Sequence, residues 1–198
     1  LDSDEMKELL TDVITGDALD DNKKPYARRS NMRDTAIIAL LGGTGIRVSE
    51  LVGIDLNDID WEHNCIRIIR KGGNEDIVYF GDELHRYLED YINYEREPGD
   101  DKEKALFVAS RKDKGRLTVR SVERIVSKYG TATIPSKHLS PHSLRRTFGT
   151  NYYEETSDLY AVADALGHKN IQVTKDHYAD ISERKKQQVK EFSDKLLK

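Results

Sequence analysis

The stretch from Ser140 to Tyr178 concentrates basic, imidazole and phenol side chains at spacings that suit chemistry on a phosphate. Ser140 followed by Pro141 predicts a helix start, because serine caps helix N-termini and proline fits the first helical position. His142 then lies in the first turn, with Arg145 three residues later, so one helical face carries an imidazole and a guanidinium. A helix N-terminus also favours an anion. Taken alone, His-x-x-Arg is more typical of a solvated helix start than of a site.

Further candidate residues lie on both sides of this helix start. Gly167 predicts a helix C-cap that places His168 at the following turn, and Tyr178 comes ten residues after that histidine. Upstream, the segment TGIRVSEL places Arg47 between a glycine turn and a short apolar helix. Lys71 lies at the predicted tip of a β-hairpin. Without the other candidates, such a lysine is more typical of a solubilising residue.

The order and local contexts of these residues carry a family resemblance. The set consists of Arg47, Lys71, His142-x-x-Arg145, Gly167-His168 and Tyr178. It resembles the catalytic domain of the tyrosine recombinases, the phage-integrase family, and the resemblance runs from LDSDEMKELL to a little beyond the last tyrosine. The sequence looks most like integrases of bacterial mobile elements. The resemblance implies a DNA strand-exchange enzyme that uses a 3′-phosphotyrosyl intermediate and needs no metal, ATP or other cofactor.

The roles implied by this resemblance agree with the chemistry of each side chain. Tyr178 is the expected nucleophile, since a phenol with a pKa near ~10 can both attack phosphorus and leave again. Arg47 and Arg145 can hold the non-bridging oxygens bidentately where negative charge builds up in the transition state. The two histidines can move protons or hydrogen-bond the phosphate near neutral pH. By resemblance, Lys71 is the expected general acid for the leaving 5′ oxygen.

Three positions depart from the commonest family pattern. Arg146 stands where a histidine is frequent, His177 precedes the nucleophile, and Asp180 stands where a histidine often follows it. These departures leave open which imidazole assists the nucleophile.

The distribution of charge predicts where DNA would bind. The net charge of -4 does not suggest a nucleic-acid partner by itself. Residues 111–128, however, carry seven arginines and lysines against two acidic residues. These basic residues are the predicted contacts to the duplex backbone. They are Arg111, Lys112, Lys114, Arg116, Arg120, Arg124 and Lys128.

Composition and pattern predict a mainly helical α+β fold with a small antiparallel β-hairpin. With 198 residues, 37% hydrophobic and 34% charged, the chain suits one helix-rich domain in the cytoplasm. It has no run of membrane-spanning length. The single cysteine excludes an internal disulfide framework.

Hydrophobic periodicity and capping residues predict the main elements. Asp2 and Glu5 predict a capping box for the first helix, Gly42 and Gly43 predict the end of the second, and Gly130 predicts the end of a helix capped by Thr118. The predicted helices cover residues 3–13, 27–41, 82–95, 118–130 and a segment beginning at 140, and the predicted strands cover residues 65–70 and 76–80.

The resemblance also implies an organisation for the chain. Residues 1–180 are the expected catalytic domain, and residues 181–198 the expected tail helix, which would dock in trans on a neighbour. An N-terminal core-binding domain is expected outside the chain, before Leu1. Double-stranded DNA is the expected partner, with self-assembly into a tetrameric synapse, accessory DNA-bending factors and no membrane association.

Three alternatives compete with a recombinase. A type IB topoisomerase-like nicking and closing enzyme would use a similar site. A metal-dependent nuclease or transposase would need clustered carboxylates, and the dense candidates are Asp55, Asp58 and Asp60. A non-catalytic helical DNA-binding module would need no phenol oxygen at Tyr178.

Overall fold

The structure, a computed structural model, describes residues 1–27, 30–96, 104–109 and 115–168, together with Asn170, Gln172, Thr174 and Lys195. The chain divides into two units, Leu1–Phe148 and Gly149–Lys198. The helices are α1 (Ser3–Thr15), α2 (Lys24–Ala27), α3 (Asn31–Thr44), α4 (Val48–Gly53), α5 (Asp82–Asp90), α6 (Val119–Thr133), α7 (Pro141–Thr156) and α8 (Leu159–Ala165). The strands are β1 (Ile59–Asp60), β2 (Cys65–Ile69) and β3 (Glu75–Tyr79). This confirms the predicted mainly helical α+β class.

The capping box predicted for α1 is present. The Asp2 side chain accepts a hydrogen bond from Glu5 N at 2.8 Å, and the Glu5 carboxylate accepts one from Asp2 N at 2.9 Å. Leu9 and Val13 are buried on one face of the helix. Gly16, with φ 74°, ends α1 in the left-handed conformation.

Helix α3 continues past its predicted end, so the prediction that Gly42 and Gly43 stop it is wrong. The helix runs to Thr44, and Gly45, with φ 65°, is its C-cap. A glycine within a helix can serve close packing instead of termination. A Cβ on Gly42 would lie 2.3 Å from Met6 Cε of α1, which indicates that the end of this side chain packs directly on the glycine.

The predicted hairpin forms the larger part of an antiparallel sheet in the order β1-β2-β3. Ile66 on β2 lies opposite Ile59 on one side and Val78 on the other. These three side chains are buried, while Ile77 and Tyr79 on the other face are exposed. This alternation is expected of a sheet with one face on the core.

Helix α5 covers only part of the predicted 82–95 helix. A π-helical turn over Tyr91–Glu95 follows it. Tyr91 is buried there, stacks on Phe107 with 5.5 Å between ring centroids, and accepts a hydrogen bond from Val108 N at 3.2 Å. The segment around residues 104–109 is thereby fixed to the end of this helix.

Helix α6 is capped as predicted but is longer than predicted. Thr118 Oγ1 accepts a hydrogen bond from Ser121 N at 3.2 Å. The helix continues through Gly130 to Thr133, so the prediction of a stop at that glycine is wrong. A Cβ on Gly130 would lie 2.5 Å from Leu139 Cβ, which explains the glycine by packing.

Helix α7 begins as the Ser140-Pro141 pair predicts. Ser140 Oγ accepts a hydrogen bond from Ser143 N at 3.2 Å. In the second unit, Asp158 caps α8 by accepting hydrogen bonds from Tyr160 N and Ala161 N. The predicted tail helix at residues 181–198 lies outside the described residues apart from Lys195. Among the helices that are described, none is both long and apolar enough to cross a membrane.

Candidate active site

Arg47 lies at the junction between the glycine turn and α4. It is the N-cap residue of this helix, in extended conformation, and follows the left-handed Gly45 by two residues. Glu50, one turn into α4, accepts hydrogen bonds from the Arg47 backbone N–H and from its Nη1, both at 2.7 Å. The Arg47 side chain keeps 33% of its surface exposed, whereas that of Glu50 keeps only 2%. A buried carboxylate therefore orients a partly exposed guanidinium.

Arg145 reaches the same segment from α7. Its side chain is buried, and its Nη1 donates a hydrogen bond to the Gly45 carbonyl oxygen at 2.5 Å. The two arginines are 98 positions apart in the sequence, yet Arg145 binds the backbone only two residues before Arg47. The structure thus brings the segments of the two predicted phosphate-binding arginines together.

Lys71 lies at the tip of the β2-β3 hairpin and is exposed, as predicted. The turn is closed by Arg70 N, which donates to Asn74 O at 2.8 Å, and by Gly73 N, which donates to Arg70 O at 3.0 Å. Gly72 and Gly73 have φ values of 99° and 82°, a region that favours glycine. The lysine side chain can therefore extend from a defined turn.

Arg70, directly before this lysine, is a buried residue that connects the hairpin to α4. Its Nη1 lies 3.2 Å from Glu50 Oε2, and its Nε donates to Asp76 Oδ2 at 2.8 Å. Glu50 therefore contacts both Arg47 and Arg70.

The sequence reasoning did not identify Glu50 and Arg70 as site residues. Two signals were available. Glu50 stands three residues after Arg47 on a helix, a spacing at which opposite charges pair. Arg70 continues the inward-facing alternation of Ile66 and Ile68, where a charge requires a buried partner.

His142 is exposed in the first turn of α7, one turn before Arg145. In the second unit, Gly167 has a left-handed backbone with φ 59°, and the His168 backbone N–H donates to Ala163 O at 2.8 Å. The His168 ring Nδ1 is 2.8 Å from Oγ1 of Thr174, which is fully buried. This contact fixes the ring orientation. The predicted nucleophile Tyr178 lies outside the described residues.

The predicted DNA-contacting residues fall into three groups. Arg111, Lys112 and Lys114 lie outside the described residues. Arg120 and Arg124 are exposed on α6. Arg116 and Lys128 are engaged within the protein.

The two engaged residues bind groups far away in the sequence. Arg116 Nη1 donates to Val52 O at 2.7 Å, and its Nη2 pairs with Asp55. Lys128 Nζ donates to the buried Asp34 at 2.9 Å and lies 3.9 Å from the Tyr129 ring centroid. A DNA phosphate would have to compete with these carboxylates for either cation.

The carboxylates considered as metal ligands also have partners within the protein. Asp55 pairs with Arg116, Asp58 Oδ1 accepts from Arg67 at 2.6 Å, and Asp60 Oδ2 lies 2.9 Å from His63 Nδ1. In the part of the chain that the structure describes, no three histidine, cysteine or acidic side chains are grouped to hold a metal ion.

Comparison with known proteins places this arrangement in a family. Residues 1–185 match the phage integrase family. Tyrosine recombinase XerC of Corynebacterium glutamicum is 43% identical over 143 residues, which are 72% of this chain and 45% of the relative. The chain spans about half the length of the curated relatives that it matches.

Solved structures agree with the sequence relatives. XerA recombinase aligns with a TM-score of 0.74 and 26% identity over 89% of this chain and 58% of that chain. The Tn1549 transposon integrase, solved in complex with circular intermediate DNA, aligns with a TM-score of 0.65 and 25% identity over 90% of this chain and 60% of that chain. The family match spans nearly the whole chain and includes both arginines and the hairpin lysine, and the chain therefore belongs to the phage integrase family.

Proposed function

We propose that this chain is the catalytic part of a site-specific DNA recombinase that cuts and rejoins duplex DNA through a 3′-phosphotyrosyl intermediate at Tyr178. The observation that carries this proposal is the hydrogen bond from Arg145 Nη1 to Gly45 O at 2.5 Å, because it joins the segments of two arginines that are distant in sequence. Two guanidiniums on adjoining segments can together neutralise the charge of a pentavalent phosphorus.

The cleavage step exchanges one phosphate ester for another. The Tyr178 hydroxyl gives its proton to one of the site histidines as its oxygen attacks phosphorus, a Tyr-O-P bond forms, and the P-O5′ bond breaks. Lys71 gives its proton to the departing 5′ oxygen, while Arg47 and Arg145 bind the non-bridging oxygens. Rejoining reverses each transfer, since a 5′ hydroxyl of the same or another strand displaces the phenol. The ester energy is kept, so no ATP is consumed.

The histidines complete the proposed site. The hydrogen bond between His168 Nδ1 and Thr174 Oγ1 sets the ring orientation, and we assign the other ring nitrogen, Nε2, to a phosphate oxygen. His142 lies on the same helix as Arg145, one turn nearer the N-terminus, where an anion is favoured. Both imidazoles can serve as proton carriers.

The proposed partner is double-stranded DNA in the cytoplasm. Residues 1–180 form the proposed catalytic domain, and recombination would proceed in a tetrameric synapse whose protomers exchange the tail at residues 181–198. The Tn1549 integrase, solved with circular intermediate DNA, supports a DNA substrate of mobile-element origin.

The test is covalent trapping on DNA. A duplex selected by this chain from a random-sequence library would be nicked a few nucleotides to the 3′ side of successive phosphates. After cleavage, the short fragment that carries the free 5′ hydroxyl then diffuses away and cannot rejoin. We expect a denaturation-resistant adduct in excess EDTA, with mass spectrometry locating the nucleotide on Tyr178. The matched variants are Tyr178→Phe, which should abolish the adduct, and Tyr160→Phe, which removes a tyrosine that is 70% exposed and should leave it unchanged.

The possible outcomes distinguish the competing functions. An adduct on another tyrosine, or none with DNA still bound, would overturn the nucleophile assignment and favour a binding module. Relaxation of supercoiled DNA without exchange between two duplexes would indicate a nicking and closing enzyme. Loss of cleavage in EDTA would indicate a metal-dependent nuclease.

A further inference from the structure

We propose that Arg70 is a positioning residue that ties the Lys71 turn to Glu50 and thereby sets the general acid relative to Arg47. This inference rests on the proposed function, because it concerns how the proton donor of that reaction is held. It assigns a role to a residue that contacts neither DNA nor the nucleophile in the scheme above.

A continuous chain of charged contacts connects the hairpin to Arg47. Asp76 on β3 binds Arg70 Nε at 2.8 Å, and Glu50 on α4 lies 3.2 Å from Arg70 Nη1. Glu50 in turn binds the backbone and the side chain of Arg47 at 2.7 Å. Positive and negative groups thus alternate along this chain of contacts, and the two buried members, Arg70 and Glu50, are each paired with opposite charges, as buried charges require.

Near its turn, the hairpin is anchored on the core by Arg70. The side chain of Ile69 is 63% exposed and cannot hold the strand on the core, whereas Arg70 is only 8% exposed. After Arg70 come Lys71 and two glycines with left-handed backbones. Arg70 is therefore the last core-facing side chain of the strand before the turn.

The backbone of Arg70 connects this anchor to Lys71. Both hydrogen bonds that close the turn use the backbone of Arg70, through its N–H to Asn74 O and through its carbonyl from Gly73 N. Consecutive Cα atoms are about 3.8 Å apart. Fixing the Arg70 side chain therefore restricts the Lys71 Cα to a small region, while its own side chain remains exposed to reach a leaving oxygen.

The same strand provides a matched control. Arg67 on β2 makes a comparable cross-strand pair with Glu75 at 3.1 Å and also binds Asp58 at 2.6 Å. Its side chain is 53% exposed, and the carboxylates that it pairs with are Asp58 and Glu75 instead of Glu50. Replacing either arginine would reduce the general stability of the hairpin, whereas only replacing Arg70 would disturb the position of the lysine.

The kinetic test compares two substrates in single-turnover cleavage. One is the normal duplex, and the other carries a 5′-bridging phosphorothiolate, whose thiolate leaves without protonation. Arg70→Met should slow cleavage of the normal duplex at least 10-fold, since small misplacements of a catalytic group can cost about 10²-fold. On the phosphorothiolate duplex, the cleavage rate constants of Arg70→Met and Lys71→Ala should each lie within about 3-fold of that of the unsubstituted chain.

The control and conservative variants define the result further. Arg67→Met should match the parent on both substrates. Arg70→Lys keeps the charge but binds one carboxylate at a time. Its cleavage of the normal duplex should be slowed less than that of Arg70→Met, and the phosphorothiolate duplex should restore its rate to the same level. Equal slowing of Arg70→Met on both substrates, or parental rates on both, would overturn the proposal.

A second measurement needs no catalysis and separates the inference from the proposed function. In the DNA-free chain, backbone ¹⁵N relaxation at Lys71, Gly72 and Gly73 should show order parameters that fall in Arg70→Met and Arg70→Lys but not in Arg67→Met. Unchanged order parameters would overturn the anchoring role whatever the enzyme does. If no phosphotyrosyl adduct forms while the order parameters respond as expected, the proposed function fails and the anchoring of the turn stands.

Discussion

At the scale of single residues, the partly buried carboxylate of Glu95 lies at the N-terminus of α3. Its Oε2 accepts hydrogen bonds from the first backbone N–H groups of α3, from Met32 at 2.8 Å and from Arg33 at 3.3 Å. A helix N-terminus favours negative charge. Burial nevertheless outweighs these donors and raises the pKa of Glu95 above its ordinary value of 4.5.

This raised pKa has a consequence for stability that can be measured. The folded chain binds the Glu95 proton more tightly than the unfolded chain, so this residue makes folding less favourable as pH rises from 4.5 through its folded-state value. Glu95→Gln removes the titration and keeps an oxygen acceptor for the helix terminus. Its free energy of unfolding relative to the parent should therefore increase between pH 4 and pH 7 in denaturant titrations.

Glu62→Gln is the control for this measurement, because it removes one negative charge from an exposed position on the β1-β2 turn. If the pH-dependent gain of Glu95→Gln does not exceed that of Glu62→Gln, burial of Glu95 is not the cause.

Local sequence patterns were enough to predict several of the proposed site residues. The contacts that were not predicted join residues far apart in the sequence. A glycine turn, a hairpin and a Ser-Pro helix start are readable over a few positions, so the surroundings of Arg47, Lys71 and Arg145 could be predicted. The partner of Lys128 is Asp34, 94 residues away. No local pattern connects these two residues. A row of basic residues on one helix gives the same sequence pattern whether or not one of them pairs with a buried carboxylate.

At the scale of elements, some glycines of this fold lie at close contacts within helices, and others end helices. The predicted stops at Gly42-Gly43 and Gly130 were wrong because the same residue type serves both purposes. Gly45 and Gly16, with left-handed backbones, are the glycines that end helices α3 and α1. Backbone conformation depends on the tertiary neighbours as well as on the residue type.

Gly130 and Gly43 therefore predict opposite effects of the same substitution. Gly130→Ala adds a methyl group 2.5 Å from Leu139 Cβ, and overpacking costs about 1–3 kcal/mol, more than the gain of about 0.5–1 kcal/mol in helix propensity. Gly43→Ala meets no atom within 4 Å in its helix and should stabilise by about 0.5 kcal/mol. Urea unfolding measures the free energy of unfolding of both variants. An increase in both would contradict the explanation by packing.

At the scale of the whole molecule, the net charge of -4 hides an uneven distribution. Exposed acidic residues lie on α1, whereas Arg120 and Arg124 are exposed on α6. Lys128, on the same helix and also predicted to contact DNA, pairs with Asp34. Arg120 and Arg124 are therefore available to a duplex, whereas Lys128 would first have to leave Asp34.

This difference predicts separable effects on DNA affinity and on folding. Arg120→Ala and Arg124→Ala should each weaken DNA binding and lower the slope of log affinity against log salt by about 1. Lys128→Ala should leave that slope unchanged and instead reduce the free energy of unfolding by about 1–3 kcal/mol, because it removes a hydrogen bond to a buried carboxylate. A lower salt slope for Lys128→Ala would show that this lysine leaves Asp34 for the phosphate backbone.

The contact between Arg145 and Gly45 also sets when the site can first exist. It closes a loop of 100 residues, and such distant pairings form late, after the entropy of the intervening chain has been overcome. During synthesis, the segment with Arg47 leaves the ribosome long before α7 does. A nascent or prematurely terminated chain would hold one arginine without the other. The proposed DNA-breaking chemistry would thus be withheld from incomplete products, because it requires both the folded first unit and Tyr178, which is synthesised later.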